Sequence, residues 1–166
     1  MNSIEANIRD NSTKGQLNAI RNSGNVPAII YGGKDNNQKI SISKKLLKTL
    51  IEKENFFSNI ITLNVDGNNQ NVLPREIKYH ILTDEPIHVD FLRVLPGVKI
   101  KIEIPVNFIN HDKSPGLKKG GVLNIVRRKV ELKCPSEKIP ENLTLDLEGI
   151  DIGESFKISS VKLDPE

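Results

Sequence analysis

Val98, Ile100, Ile102, Ile104, Val106 and Phe108 alternate with Lys99, Lys101, Glu103, Pro105 and Asn107 along one uninterrupted stretch. On a strand, side chains two apart share a face, so this spacing builds one apolar and one polar surface. On a helix the same residues would scatter around the whole circumference. The stretch therefore predicts a long strand covered on one side only. Pro105 cannot donate to a sheet ladder and puts its segment at an edge or a bulge. Downstream, Ser114 to Gly121 holds a proline and three glycines and reads as a loop. Further strands are expected around Val122–Val126, Lys129–Cys134, Leu143–Leu147 and Phe156–Ile158. The second half is almost purely strand-like.

The Pro-Gly pair in Val94-Leu95-Pro96-Gly97 marks a turn, and two domains are expected on either side of it, 1–95 and 96–166. Before this break, helix and strand mix. Ile4 to Arg9 reads as an opening strand and Ser12 to Gly15 as a loop. A short helix follows, with Leu17 and Ile20 three apart and Gly24 as its stop. Val26 to Tyr31 is a buried strand closed by Gly32-Gly33, and Lys39 to Ser43 is another. Ser43 suits the N-cap of a helix reaching about Glu54, with Leu46, Leu47, Leu50 and Ile51 in one apolar stripe. Ile61, Leu63 and Val65 alternate into Asp66-Gly67, a hairpin turn that returns the chain along Gln70 to Ile77. Ile87 to Val94 is the last strand. Hairpins with only two helices imply a small barrel flanked by helices, in a fold between α+β and mainly β.

At 166 residues the chain can hold one sizeable core or two small ones. Hydrophobic residues at 37% and charged ones at 27% exclude wholesale disorder. No apolar run approaches the roughly 20 residues that cross a bilayer. Met1-Asn2-Ser3-Ile4-Glu5 lacks the basic start and apolar centre of a secretory signal, so a cytoplasmic location without membrane contact is expected. The single cysteine, Cys134, excludes an intrachain disulfide framework and a cysteine-rich zinc site. The formal charge is +3, with 12 basic and 10 acidic residues up to Leu95 and 12 against 11 after it. Neither half is a polycation. Any nucleic-acid binding must rest on local arrangement.

Such an arrangement exists in Ile87 to Val94. His88 and Asp90 point one way from a strand, and Val89 and Phe91 the other. An imidazole and a carboxylate on one face suit a general acid/base pair, two metal ligands, or a surface that reads a polar partner. A metal needs a third ligand, and neither His80 nor His111 has a diagnostic spacing from the pair. Cys134 lies in a strand without nucleophile context and reads as a small core residue. Lys118-Lys119-Gly120-Gly121 lacks the order of a phosphate-binding loop and reads as a turn. No catalytic group, metal, cofactor or small-molecule substrate is expected, and a small hydrolase using His88 and Asp90 is the runner-up. For RNA, phosphate repels a carboxylate, so Asp90 would accept from a base amino or imino group. His88 would donate to a ribose or phosphate oxygen, and Tyr31 would offer its hydroxyl or ring. Arg9, Lys14, Arg21 and Lys78 would position the backbone without reading sequence. Taken singly, each of those cations is also an ordinary solvated charge. RNA reading needs the His88–Asp90 pair open to solvent rather than buried.

The residues Gly24 to Gly33, the Lys14-Gly15 pair before a short helix, and His88-x-Asp90-Phe91-x-Arg93-Val94 resemble the family of bacterial large-subunit ribosomal protein twenty-five, related to the general stress protein Ctc. Gly116 to Leu123, Cys134-Pro135 to Ile139-Pro140, and Leu147-x-Gly149-Ile150-x-Ile152-Gly153 resemble the C-terminal domain of its longer, Ctc-type members. The resemblance implies an N-terminal six-stranded barrel that binds 5S rRNA at its irregular loop E helix, and a mostly β C-terminal domain. Arg9, Lys14, Arg21, Tyr31, His88 and Asp90 match the family's RNA-contacting positions. The large ribosomal subunit and neighbouring ribosomal proteins become expected partners, and a stress-induced RNA-binding protein off the ribosome is the alternative. Asn18 and Ala19 stand where the family usually has helix arginines, and His80-Ile81 where it has His-Pro. Longer members continue with another strand past Leu163-Asp164-Pro165-Glu166, so a shortened second domain is expected.

Overall fold

Six strands of the first half close on themselves. In this computed structural model, residues 3–10, 13–33, 36–53, 55–136 and 138–157 are described. Strands β1 (Ser3–Ile8), β2 (Asn25–Tyr31), β3 (Gln38–Ser43), β4 (Ile61–Val65), β5 (Asn68–Tyr79) and β6 (Pro86–Arg93) form a closed barrel in the order β1-β3-β2-β6-β5-β4. The β1–β4 and β2–β6 joins are parallel, and the others are antiparallel. Closure leaves no open sheet edge. Alternate residues fill the interior, among them Ala28, Ile30, Ile40, Leu63, Val89 and Phe91, each fully buried. Helix α1 (Lys14–Asn22) lies against β2. Helix α2 (Lys44–Ile51) adds Leu47 and Leu50 to the same core. The barrel with few helices and a second β unit is the fold class expected.

Several boundaries move. Lys14 and Gly15 open α1 rather than standing in the loop before it. Helix α2 stops at Ile51, and Ser43 occupies its N-cap without a side-chain bond to the helix. Glu54, the expected end, lies outside the described residues, as does Ser12. The hairpin turn is tight, with Asp66 at φ 49° and Gly67 at φ 90°. Both central residues are left-handed, which matches the right-handed twist of the two strands it joins. Its return strand β5 runs two residues past Ile77, to Tyr79.

The second unit is a three-stranded sheet in the order β8-β7-β9, with β7 (Lys99–Ile109) central. Strand β8 (Lys129–Pro135) pairs with Lys99–Pro105, and β9 (Leu143–Asp146) with Val106–Ile109. Pro105 therefore sits where β7 changes partner, not on an outer strand. The Val106 N–H donates to the Arg128 carbonyl at 2.9 Å. The Pro105 nitrogen thus faces the other flank, where β9 pairing has not begun, and its missing proton leaves no ladder position empty.

Two expected strands do not form. Val122–Val126 has no regular structure, and Val122 and Val126 are 92% and 85% exposed. The segment is apolar and β-branched enough for a strand but has no partner to pair with. Phe156 and Lys157 are not in a strand, and Ile158 lies outside the described residues. The expected loop at Ser114–Gly121 contains a short helix, α3 (Pro115–Lys118), whose Leu117 N–H donates to the Ser114 hydroxyl at 3.4 Å. Here Gly116 meets the backbone of the 150–152 segment. A Cβ on it would lie 2.9 Å from the Asp151 carbonyl carbon. Gly116→Ala should lower stability by about 1–3 kcal/mol through overpacking, read as a drop in urea midpoint with unchanged slope. No drop would show that the segment yields freely.

The two units share an apolar wall. Leu73, Leu92 and Val94 of the barrel's outer surface pack with Ile100, Ile102, Cys134 and Ile139. Cys134 is thus a small packing residue, and burial pushes its thiol pKa up. A bulge in β5 places Arg75 opposite no residue of β6. Bulges re-aim a side chain, and Arg75 Nη1 donates to the Lys101 carbonyl at 2.5 Å.

Candidate nucleic-acid interface

Strand β6 lies between β2 and β5 and carries the expected alternation. Val89 and Phe91 are 0% exposed inside the barrel. His88 and Asp90 point outward, with side chains 28% and 27% exposed, and His88 Nδ1 lies 2.7 Å from Asp90 Oδ1. The pair is joined yet open to solvent. A carboxylate only accepts, so Nδ1 carries the shared proton. No other described group bonds to Asp90, and its second oxygen remains for a partner.

Burial lowers the His88 pKa. Asp90 opposes that shift through charge and hydrogen bond, and Arg9 and Lys78 add to it. The ring is therefore mostly neutral at pH 7, and a neutral ring with a proton on Nδ1 presents a bare, accepting Nε2. With Nδ1 committed to Asp90, Nε2 is the nitrogen left to face solvent, and in the neutral ring it accepts a hydrogen bond rather than donating one. A proton held less tightly when folded makes stability fall as pH drops below about 6.5 toward the depressed value, and remain full above it. Asp90→Asn should move the His88 midpoint further down, followed by NMR of the imidazole protons. A midpoint that rises or stays put would mean the two groups do not interact.

Cations from three other elements surround this pair. Lys78 of β5 stands directly across from His88. Arg9, just past β1, donates from Nε to the Ile40 carbonyl at 2.9 Å and from Nη2 toward the Ala28 carbonyl at 3.5 Å. Burial and nearby Arg21 lower its pKa. Arg21 of α1 donates from Nε to the Ile87 carbonyl at 3.2 Å and from Nη1 to Asn18 Oδ1 at 3.0 Å. The β5–β6 register shifts beside Ile87, which leaves that residue opposite no neighbour and its carbonyl available to Arg21. Lys14, exposed, stands seven residues before Arg21 and shares its face of α1.

Tyr31 is placed differently. It pairs with Leu92, two residues beyond the Ile29–Asp90 rung, and lines a groove of about 540 Å³ between the barrel and the second sheet. Phe57, Arg75, Glu76, Ile102 and Lys129 also line it. Glu76, across from Asp90, places a second carboxylate on this face. Nothing in the residue pattern singles Glu76 out, because the bulge at Arg75 hides the register that pairs the two. The groove's mixed charges differ from the cationic surround of His88. Among the described residues no group of three or more His, Cys, Asp or Glu could hold a metal. No described helix is long and apolar enough to cross a membrane.

The family model for ribosomal L25p matches residues 4–91, more than half of the chain. The chain belongs to the ribosomal L25p family. The C-terminal domain model of ribosomal protein TL5 matches residues 99–166. A relative from Pelagibacter ubique, named large ribosomal subunit protein bL25, is 68% identical over 99% of this chain and 72% of its own length. Relatives of the same name from Parvibaculum lavamentivorans and Mesorhizobium japonicum are 42% and 44% identical over 96% of this chain, covering 74% and 75% of theirs. Members of the L25p family are ribosomal structural proteins and not enzymes, which sets aside the hydrolase reading of His88 and Asp90.

Proposed function

We propose that this chain is a structural component of the bacterial large ribosomal subunit, held on ribosomes in the cytoplasm, and that its barrel binds 5S rRNA at the irregular loop E helix. Arg9, Lys14, Arg21 and Lys78 neutralise phosphates, while Tyr31, His88 and Asp90 meet riboses and base edges. RNA of this kind is recognised through shape, 2′-hydroxyls and accessible base edges. Residues 1–95 carry the RNA contact, and residues 96–166 meet neighbouring ribosomal components. The observation that supports this most is the gathering of Arg9, Arg21 and Lys78 around an outward-facing, solvent-open His88–Asp90 pair.

A gel shift with purified 5S rRNA tests it, comparing the chain with a His88→Ala, Asp90→Ala double variant. The double variant should bind loop E more weakly, and equal binding rejects the site. Asn18 and Ala19 in place of family arginines have a further consequence. Each lost phosphate contact lowers the slope of log affinity against log salt by about 0.9. The slope for this chain should be shallower than for members that keep the basic helix, and an equal or steeper slope would count against that assignment.

A further inference from the structure

The β5–β6 connection is an ordered loop that holds two large aliphatic side chains out in water. The His80 N–H donates to the Glu85 carbonyl at 2.8 Å, and the Asp84 N–H to the His80 carbonyl at 3.0 Å. The Leu82 N–H reaches His80 Nδ1 at 3.4 Å, and Asp84 turns the chain at φ 51°. A salt bridge from Lys44 to Glu85 ties the loop to α2 at 2.5 Å. At its tip, Ile81 and Leu82 are 95% and 87% exposed. Single exposed aliphatics are ordinary. Two adjacent ones on a hydrogen-bonded loop are a surface that no other part of the described chain covers.

The loop's two arms identify what does cover it. They carry Lys78 and His88, the rung at the centre of the RNA face, and Ile87, whose carbonyl holds Arg21. Ile81 lies three residues beyond Lys78, which puts it within the chain's reach of about 11 Å. A nucleic-acid helix seated on Lys78 and His88 is wide enough to meet the tip as well. The wide, shallow groove of an RNA helix exposes sugar and base edges, and the C–H faces of those sugars suit aliphatic contact. Glu85 is already neutralised by Lys44, which leaves Asp84 as the loop's one carboxylate without an ion pair. Resting on the RNA-binding reading above, we infer that the β5–β6 loop is an apolar wedge, with Ile81 and Leu82 seated against ribose and base faces of the same RNA that Lys78 and His88 contact.

Salt dependence separates this from a charge effect, because apolar contacts release no counterions. In the full chain, Ile81→Ser with Leu82→Ser should raise the Kd for 5S rRNA about tenfold while leaving the salt slope and the melting midpoint unchanged. Ile81→Val with Leu82→Met, which keep the apolar surface, should bind like the parent. Unchanged affinity in the serine variant overturns the wedge, as does a loss accompanied by a shallower slope. Unchanged RNA affinity with lost incorporation into large subunits also overturns it, and assigns the tip to a protein neighbour. A parent chain that fails to bind 5S rRNA at all rejects the RNA reading itself and the wedge with it.

Discussion

Replacing Asp90 with alanine should weaken binding to 5S rRNA by about 1–3 kcal/mol, the range of a lost base-edge contact, and by much less on unrelated duplex RNA. The carboxylate has one described partner, His88, and an oxygen to spare. Its removal takes away both that acceptor and the group that keeps the imidazole proton on Nδ1. Thermal stability should barely change, because the side chain lies on the barrel's outer surface. Titration of both RNAs with the parent and the variant measures this, and equal losses on the two would show that Asp90 discriminates nothing.

The adjacent position should behave in the opposite way. Phe91 is fully buried among the barrel's interior residues. Phe91→Ala should cost about 3–5 kcal/mol through lost transfer energy and the cavity left behind. That is a large share of a typical domain's stability. Urea unfolding reads it directly, and a loss under about 1 kcal/mol would mean the site collapses freely. In low denaturant the fraction that remains folded should keep its RNA affinity. One residue along the strand thus separates recognition from folding.

That separation was legible in the sequence, because a strand buried on one face alternates visibly. Ile61–Val65, Val98–Phe108 and His88–Phe91 all carry the period in their residue types. Val122–Val126 is rich in strand-favouring residues and forms no strand, since residue type records preference and not the presence of a neighbour. For the same reason the parallel β1–β4 and β2–β6 joins could not be read from local pattern. The long apolar run of β7 did not show that its neighbour changes at Pro105. At the site, His88 and Asp90 follow from spacing alone, whereas Arg9, Lys14 and Arg21 are candidates only as cations, and nothing local to them brings them to one face. Their side chains reach the face from other elements, through carbonyls at Ile40 and Ile87. Spacing along one chain holds no trace of such crossings.

The wall of Leu73, Leu92 and Val94 carries a practical warning. Cutting the chain after Leu95 would bare these aliphatics to water and deprive Arg75 of the Lys101 carbonyl that it now bonds. Newly exposed apolar surface of this kind promotes self-association. An isolated barrel would need polar replacements at Leu73 and Leu92 before its solution behaviour reported on anything but stickiness.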